Sequence, residues 1–544
     1  MSAPMRDRGL SAPAGLAAAL GVVAITSLPY LLGFLAPPAG RVFLGLVFDA
    51  PDHAQYWSWV TASRDALFIP NTMTPEPNAA SFLNPAMWLL ARAQVLFDLS
   101  FPALFQWWRI AAAVAIGPAL AFLVRALART PAQARLAFWV VLAGGGLGWV
   151  LVVAKYALGV ADAPFPEALY TVEPNTFFGL LAYPYLPLAQ AFMLVALGGA
   201  FRVHVAPSPA AWAAAGLGAL AVALLHAYDL VVVYAVLGVF WLVEAWRARG
   251  IPWRFSWAIA LVVASSAPLA GYYQYLTSAD PLWRDVLAQY VNAGVWTPSP
   301  PLLVVLMGAP LALSLVAVRG LAWDDPGTRF TATWALAGTA LVYLPTVFQV
   351  KLLAAYQVPL ALLASGVWTE RAGPALRRWL PATPVARAVP ACLLALLVLP
   401  TNVYLVVWRL VDLRRTDAPY YLTTDEAAAL AALAERTRPA DVALAPESVG
   451  RWVPNYGRTR AVLAHWAMTR RYLERREAVQ QFFSTAVDDE WRRRQLTADA
   501  VTYVVWTARD AAEGRTYSPA RSPALFEPVV ETPTAGLFRV KAAR

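Results

Sequence analysis

The polar residues best suited to chemistry follow the first long apolar run, in the segment VFDAPDHAQYWSWV. It contains Asp49 and Asp52, followed by His53 and an aromatic stretch. A carboxylate at a membrane surface can act as a general base that takes a proton from an acceptor hydroxyl. It can instead hold a divalent cation, Mg²⁺ or Mn²⁺, beside a phosphate leaving group. The alternative is that either aspartate only caps the start of a helix.

A second group of polar residues lies in three later segments. Glu173, in EPNTFF, is either a second carboxylate of the site or a loop cap, and Tyr185 follows in YPYLPLA. In LLHAYDL, the spacing of His226 and Asp229 places both on one face of a helical turn. Such a pair suits a proton relay, a metal pair or a phosphate contact. The alternative is a buried pair that satisfies itself at a helix break.

The segment YLPTVFQVKLLAAYQ places one basic residue at the start of an apolar run. Lys351 comes two positions after Gln349, at a link that we assign to the non-cytoplasmic side. A lysine there runs against the preference of basic residues for cytoplasmic loops. Pairing with a phosphate or diphosphate headgroup would explain it, and snorkelling to the interface is the alternative. We favour phosphate binding by Lys351, with Gln349 as a further substrate contact.

The elements that must position these residues are membrane helices. The chain has 544 residues, of which 59% are hydrophobic and 14% charged, and this is too apolar for an ordinary soluble protein. Since a span needs about 20 mostly apolar residues, the sequence predicts about eleven transmembrane helices, near residues 13–35, 104–127, 133–155, 180–201, 209–225, 227–246, 255–276, 300–319, 329–347, 350–369 and 386–410. Residues 209–246 could also form one long kinked helix.

The loops between these runs alternate between arginine-rich and carboxylate- or histidine-bearing. The rule that Lys and Arg favour the cytoplasm predicts a cytoplasmic N-terminus beside Arg6 and Arg8. All the arginine-rich loops then share one side only if residues 209–246 cross twice. The other side receives the long loop 36–103, the segment 156–179 and everything after about Val411. We therefore expect the candidate site to be extracytoplasmic.

The C-terminal part has the patterning of a soluble domain. Residues 423–436 predict a helix, and short apolar runs at 441–445, 460–464, 501–506 and 536–540 predict strands. The fold class is therefore an α-helical polytopic membrane protein with a small external α/β domain, divided into residues 1–411 and 412–544. The tail motif SVGRWVPNYGRTRAVLAHW suits either a carbohydrate contact or a loop packed on the membrane domain, and the alternative is a plain turn between strands.

Charge and motifs exclude several function classes. The formal net charge of +10 resides largely in short loops between apolar runs, where it orients helices and meets anionic lipid, so we expect no nucleic acid partner. The single cysteine, Cys392, allows no intrachain disulfide or thiolate metal cluster. The sequence has no P-loop, zinc-ligand spacing, nucleophile elbow or dinucleotide fingerprint. Nothing therefore points to a nucleotide-driven pump or a soluble-type hydrolase.

The arrangement resembles the GT-C superfamily of polytopic glycosyltransferases, including uncharacterised bacterial members. The resemblance lies in the first span, the acidic external loop and the external C-terminal domain, and in the motifs DAPDHAQYW, EPNTFF, LLHAYDL, the Gln349–Lys351 segment and WVPNYGRTRAVLAHW. It implies transfer of a sugar from a polyprenyl-phosphate donor to an extracytoplasmic lipid, glycan or protein, in the inner membrane of a bacterium. It further implies that Asp52, or else Asp49, deprotonates the acceptor.

The resemblance also implies roles for the remaining candidates. Lys351, with His226, would neutralise the lipid phosphate, and Glu173 and Asp229 would bind the acceptor or a metal. Two readings from other classes stay open. A transporter or flippase of lipid-linked glycans would place ionisable residues near the bilayer midplane within repeated halves, whereas here they lie at span ends and no repeat is evident. A non-catalytic envelope scaffold is the third.

Overall fold

The computed structural model describes residues 10–293, 296–381, 383–415, 419–509 and 517–541. Its helices in chain order are α1 (Ala12–Thr26), α2 (Leu28–Leu35), α3 (Ala50–Ala62), α4 (Pro85–Leu96), α5 (Phe101–Leu127), α6 (Pro131–Ala143), α7 (Gly148–Val152), α8 (Thr176–Ala182), α9 (Tyr185–Val205), α10 (Pro209–Leu225), α11 (Asp229–Ala248), α12 (Trp253–Ala279), α13 (Pro281–Ala288), α14 (Pro300–Met307), α15 (Ala309–Ala317), α16 (Pro326–Leu341), α17 (Gln357–Val367), α18 (Gly373–Arg378), α19 (Pro384–Val398), α20 (Pro400–Asp412), α21 (Thr424–Arg436), α22 (Glu447–Gly450), α23 (Val453–Gly457), α24 (Tyr472–Phe482) and α25 (Asp489–Ala498). Its strands are β1 (Arg41–Phe43), β2 (Phe68–Ile69), β3 (Phe82–Leu83), β4 (Tyr421–Thr423), β5 (Val442–Leu444), β6 (Arg460–Ala461), β7 (Tyr503–Thr507), β8 (Phe526–Glu531) and β9 (Ala535–Val540).

The chain divides into two compact units. The first, which we call the helical unit, comprises Met1–Leu28, Gln106–Tyr273 and Val295–Leu410. The second, the mixed unit, comprises Pro29–Phe105, Gln274–Gly294 and Val411–Arg544. The mixed unit thus combines the long loop after the first span with the C-terminal region, although these segments are far apart in the sequence.

The chain is a multi-pass membrane protein. Within its described residues, six helices are long and apolar enough to cross a membrane: Ala12–Leu35, Phe101–Leu127, Tyr185–Val205, Asp229–Ala248, Trp253–Ala279 and Gln349–Arg378. The number rises to nine if each of three bent helix pairs is one span. Every run that we predicted as a span overlaps a helix or a bent pair, but α10 and α16 are shorter than a full span. The number eleven stays a prediction.

Two of the apolar stretches are interrupted between helices. Residues 209–246 form two helices, α10 and α11, which separate at His226. Residues 300–319 form α14 and α15, which are bent by 106°. The bend falls at Gly308, whose φ of 65° is readily adopted only by glycine. Hydropathy predicts the apolar content of such a segment but not a bend, so this change of direction was not foreseen.

Close helix packing in the helical unit depends on small residues. An added Cβ at Gly15 of α1 would lie 2.5 Å from the carbonyl oxygen of Gly117 in α5. Small residues let helix backbones approach closely, which gains van der Waals contact where lipid offers no hydrophobic driving force between helices. Because neither glycine has a side chain at this contact, the two helices can pack closely against each other.

The mixed unit contains a five-stranded sheet in the order β6-β5-β7-β9-β8. β5 pairs in parallel with β6 and β7, while β9 pairs antiparallel with β7 and β8. The C-terminal sheet is confirmed, although β8 was not predicted. The predicted helix is present as α21, opened by a capping box in which Thr423 and Glu426 satisfy each other's backbone N–H groups.

Candidate functional site

The candidate carboxylates lie at the N-terminal end of α3. Asp49 is the residue that caps the helix: its φ is 41°, and its Oδ1 accepts the backbone N–H of Asp52 at 3.3 Å. Asp is one of the few residues that tolerates this left-handed conformation. Capping, which the sequence left as an alternative for either aspartate, is therefore what Asp49 does, and Asp52 lies in the first turn behind it.

Asp52 makes a hydrogen bond to a histidine from the far end of the chain. Its Oδ1 lies 3.0 Å from Nε2 of His465, although 413 positions separate the two residues. His465 is buried, with 1% of its surface exposed. The backbone N–H groups of Ala467 and Met468 donate to its other ring nitrogen, Nδ1, at 3.2 and 3.3 Å. Because Nδ1 accepts both bonds, the ring carries its proton on Nε2 and donates it to Asp52.

The loop that carries His465 is tied to two other segments of the mixed unit. Asn71 donates to the carbonyl oxygen of Met468 at 2.8 Å, and Thr469 Oγ1 donates to that of Met73 at 2.7 Å. Gln289 donates to the carbonyl oxygens of Ala467 and Thr469 at 2.7 and 2.9 Å. These bonds hold the backbone that places the imidazole, so the position of Asp52 depends on segments scattered along the sequence.

A partly buried set of ion pairs fastens the same long loop to α24. Arg475 donates to Glu76 at 2.6 Å and to Asp499 at 2.8 Å. Burial by itself would raise the pKa of Glu76, but the hydrogen bond from Thr74 and the charge of Arg475 outweigh it, so the pKa lies below its usual value. The carboxylate form of Glu76 is therefore the one that holds residues 71–78 in place.

A second charged group lies close to Asp49. Arg451 bonds the backbone oxygen of Glu447 at 3.1 Å and its carboxylate at 3.4 Å. Burial lowers the pKa of the Arg451 guanidinium, and the carboxylates of Glu447 and Asp49 act in the opposite direction. Tyr472 donates to Glu447 at 2.9 Å, and burial together with that carboxylate raises the pKa of Tyr472 to about 12. The tail motif thus contributes a positive charge whose electrostatic partners include Asp49.

Aromatic contacts fix α3 within the mixed unit. The ring of Trp57 stacks on Phe101 with centroids 5.0 Å apart and lies 5.6 Å from that of Trp452. The ring of His53 meets Phe105 edge to face at 5.1 Å. The aromatic stretch after the aspartates is therefore packed within the protein and orients the helix that carries them.

The helical unit holds the other candidates, of which His226 and Asp229 form one pair. Nδ1 of His226 lies 2.9 Å from Oδ1 of Asp229, which is buried in the first turn of α11. The ring of Tyr185, at the start of α9, lies 5.6 Å from that of His226. The predicted proximity of His226 and Asp229 is therefore present, with an aromatic neighbour.

Lys351 and Glu173 form the second pair of the helical unit. Nζ of Lys351 lies 2.8 Å from Oε1 of Glu173, and their side chains are 21% and 9% exposed. The neighbouring loop cap is made by Asn175, whose side chain accepts the N–H of Phe178 at 3.1 Å. Glu173 is thus the partner of Lys351, and neither of the two roles that we weighed for it from the sequence described this contact.

Gln349 links its own loop to the segment that precedes α14. Its side-chain oxygen accepts the N–H of Thr297 at 3.0 Å, and its side-chain nitrogen donates to the carbonyl oxygen of Leu344 at 3.2 Å. Both ends of the amide therefore contact backbone. This arrangement fixes the loop immediately before Lys351.

The structure therefore gathers the predicted residues into separate groups. Asp49 and Asp52 share one helix end of the mixed unit, while the helical unit holds the His226–Asp229 and Lys351–Glu173 pairs. Within the described residues, no group of three or more His, Cys, Asp or Glu side chains could hold a metal ion. The bond between His465 and Asp52 was not predicted, because no local spacing relates residues so far apart in the chain.

Comparisons with known proteins identify the fold. No family model matches the sequence, and no curated protein matches it either. The structure is similar to the crystal structure of the apo oligosaccharyltransferase of Archaeoglobus fulgidus, with a TM-score of 0.57 and 13% sequence identity over 90% of this chain and 70% of that chain. It is also similar to the oligosaccharyltransferase AglB of Archaeoglobus fulgidus in complex with an inhibitory peptide and a dolichol-phosphate, with a TM-score of 0.55 and 12% identity over 91% and 70%.

These similarities concern the fold. The chain shares the fold of these oligosaccharyltransferases, a polytopic membrane fold of the kind that the resemblance in its sequence implied. At so low an identity the likeness shows the fold alone, because one fold hosts many chemistries and function resides in the site.

Proposed function

We propose that this chain is a membrane glycosyltransferase that moves a sugar from a polyprenyl-phosphate-linked donor to an extracytoplasmic acceptor. The observation that carries the proposal is the bond between Asp52 and His465, which aims a carboxylate within a GT-C fold. A solved protein of similar fold, the oligosaccharyltransferase AglB, is in complex with an inhibitory peptide and a dolichol-phosphate.

In this proposal Asp52 is the general base. Its carboxylate takes the proton of the acceptor hydroxyl or amide while that group attacks the anomeric carbon of the sugar, and the bond from this carbon to the phosphate oxygen breaks. His465 positions the carboxylate by donating from Nε2. Asp49 supports the reaction by capping α3, which fixes the backbone in front of Asp52.

The leaving group is the polyprenyl phosphate. Lys351 and His226 would bind its negative charge, Asp229 would orient the imidazole, and Tyr185 would line the same region of the helical unit. Glu173 holds Lys351 until the phosphate competes for it. Gln349 would act through the loop that it fixes. Fixed charges of this kind stabilise a developing phosphate anion without reorganisation.

A divalent cation, Mg²⁺ or Mn²⁺, is the alternative use of the carboxylates at α3. Asp49 and Asp52 would then supply oxygen ligands, which such cations prefer. The cation would neutralise the phosphate in place of protein groups. A dependence of sugar transfer on added Mg²⁺ or Mn²⁺, abolished by chelator, would support this alternative.

The proposal includes the topology predicted from the sequence. In this topology the protein has about eleven spans, and its N-terminus is in the cytoplasm. The membrane domain comprises residues 1–411, and the extracytoplasmic domain comprises residues 412–544. This orientation would place the long acidic loop on the side of a cell-envelope acceptor.

The decisive experiment measures release of polyprenyl phosphate from a panel of polyprenyl-phosphate-linked hexoses by the purified protein. We expect Asp52→Asn to lower the rate by about 100-fold or more, the usual contribution of a general base. The matched control is Asp65→Asn, because Asp65 follows the other end of α3 and is exposed. Full sugar transfer by Asp52→Asn would overturn the assignment of the base.

A further inference from the structure

A polar cavity lies in the helical unit, among residues that have no part in the proposed reaction. Its volume is about 50 Å³, several times the roughly 15 Å³ needed to admit one water. We call it the arginine cavity. The lining residues include Arg129, Gln133, Gly320, Thr328, Glu370 and Arg371.

The arginine cavity lies where several candidate spans end. Leu127, which lines it, is the last residue of the span Phe101–Leu127, and Gly320 is the last residue of the bent pair Pro300–Met307 and Ala309–Gly320. Arg371 lies near the end of the span Gln349–Arg378, whereas Lys351 lies near its start. The arginine cavity therefore lies at the other end of this candidate span from Lys351.

The floor of the arginine cavity is built from buried polar groups. Gln133 is 8% exposed, and its side-chain oxygen accepts the backbone N–H of Arg129 at 2.8 Å. Its side-chain nitrogen donates to the carbonyl oxygen of Leu362 at 2.9 Å. Thr130 caps α6 by accepting the N–H of Gln133 at 3.1 Å. These bonds fix the backbone from which Arg129 extends.

The charge of the arginine cavity is positive. Arg129 donates through one nitrogen to both carboxylate oxygens of Glu370, at 3.1 and 3.2 Å. Arg371 donates to the carbonyl oxygen of Gly320 at 3.3 Å, and in the described part of the chain no carboxylate lies within ion-pair distance of it. One carboxylate thus faces two guanidinium groups, and N–H donors of both remain available.

We propose that the arginine cavity binds a phosphate group, and that its source is the headgroup of an anionic membrane lipid. Guanidinium groups match the geometry of phosphate oxygens, and basic pockets between helices at the membrane surface suit lipid phosphates. The location at span ends favours a lipid over a free phosphate, although the two share the same chemistry. This site is independent of the proposed sugar transfer.

The test is lipid titration of the purified full-length protein, followed by native mass spectrometry. The probes are phosphatidylglycerol and, separately, inorganic phosphate. We expect Arg129→Gln and Arg371→Gln each to weaken phosphatidylglycerol binding by about fivefold, and the double variant by about 30-fold. The matched control is Arg378→Gln, which removes the same charge from the same helix end outside the cavity lining.

Two further variants separate the cavity from general surface charge. An added Cβ at Gly320 would lie 1.9 Å from a terminal guanidinium nitrogen of Arg371, so Gly320→Ala should displace this group and weaken binding without changing any charge. Glu370→Gln should tighten binding, because it removes the carboxylate that competes with phosphate for Arg129.

The results distinguish a lipid site from a site for free phosphate and from no site at all. Saturable phosphatidylglycerol binding that Arg378→Gln leaves intact and the cavity variants weaken supports the proposal. Equal binding of inorganic phosphate would keep the phosphate site but overturn the lipid headgroup as its source. Phosphatidylglycerol binding that the double arginine variant leaves unchanged, with the variant's thermal unfolding also unchanged, would overturn the site itself.

Discussion

Nε2 of His465 lies 3.0 Å from Oδ1 of Asp52, and two backbone N–H groups occupy the other nitrogen of the ring. The imidazole therefore has one proton to give, and it gives this proton to the carboxylate. In the proposed sugar transfer, the imidazole of His465 therefore acts only through Asp52, so His465 is a positioning residue. Asp49 shapes the end of α3, and in the proposed reaction Asp52 is the residue that acts as the base.

The positioning role of His465 predicts different effects for two substitutions. His465→Leu removes the donor, and we expect kcat for sugar transfer to fall by about 100-fold with little change in KM, because misplacement of a reacting group acts on the chemical step. His465→Gln offers an amide N–H in place of the ring N–H and should retain most of the activity. Equal losses in both variants, or a change confined to KM, would refute positioning, and thermal unfolding of each variant provides the control for folding.

The ion pair of Lys351 and Glu173 predicts opposite changes in carrier binding. Lys351→Met should weaken binding of polyprenyl phosphate by about tenfold, the usual value of a hydrogen bond to a charged group. Glu173→Gln should tighten it, because the competing carboxylate is lost. Titration of polyprenyl phosphate measures both effects, and Lys155→Met is the matched control. Unchanged affinity in both variants would leave the pair as a structural contact only.

The environment of Glu76 predicts acid sensitivity of the long loop in the mixed unit. Its pKa in the folded chain is lowered below the ordinary value of 4.5, so the stabilisation is fully present above pH 4.5 and is lost as the pH falls through the lowered pKa. Hydrogen exchange of residues 71–78 between pH 6 and 3 should show protection that falls below about pH 4.5. Glu76→Gln should remove this pH-dependent step. Equal pH dependence in both proteins would contradict the assignment to Glu76.

The predicted orientation can be tested with single cysteines in a Cys392→Ala background. Glu474→Cys lies in the C-terminal region, and its side chain is 73% exposed. We expect a membrane-impermeant maleimide added to intact cells to label it. Arg378→Cys, on the predicted cytoplasmic side, should be labelled only after the cells are opened. The reverse pattern would invert the topology and place the α3 carboxylates in the cytoplasm.

Much of the architecture could be predicted because it depends on local composition. Apolar runs of sufficient length predict helices, and the break at His226 shows where polar residues interrupt them. The capping box of α21 can be recognised in the sequence, because its two partners, Thr423 and Glu426, are three positions apart. The 106° bend between α14 and α15 could not be predicted, because a hydropathy profile carries no information about the direction of a helix axis.

The sequence by itself determined that the chain belongs in a membrane, that its charges alternate between two sets of loops, and that Asp49, Asp52, His226 and Asp229 have the right types and local spacing for a site. Only the tertiary structure decided their partners. In the folded chain, Asp52 is hydrogen-bonded to the imidazole of His465, and Lys351 is paired with the carboxylate of Glu173. Asp49 caps α3. The physical reason is that hydrogen bonds and ion pairs act over a few ångströms in space, whereas sequence patterns report only neighbours along the chain.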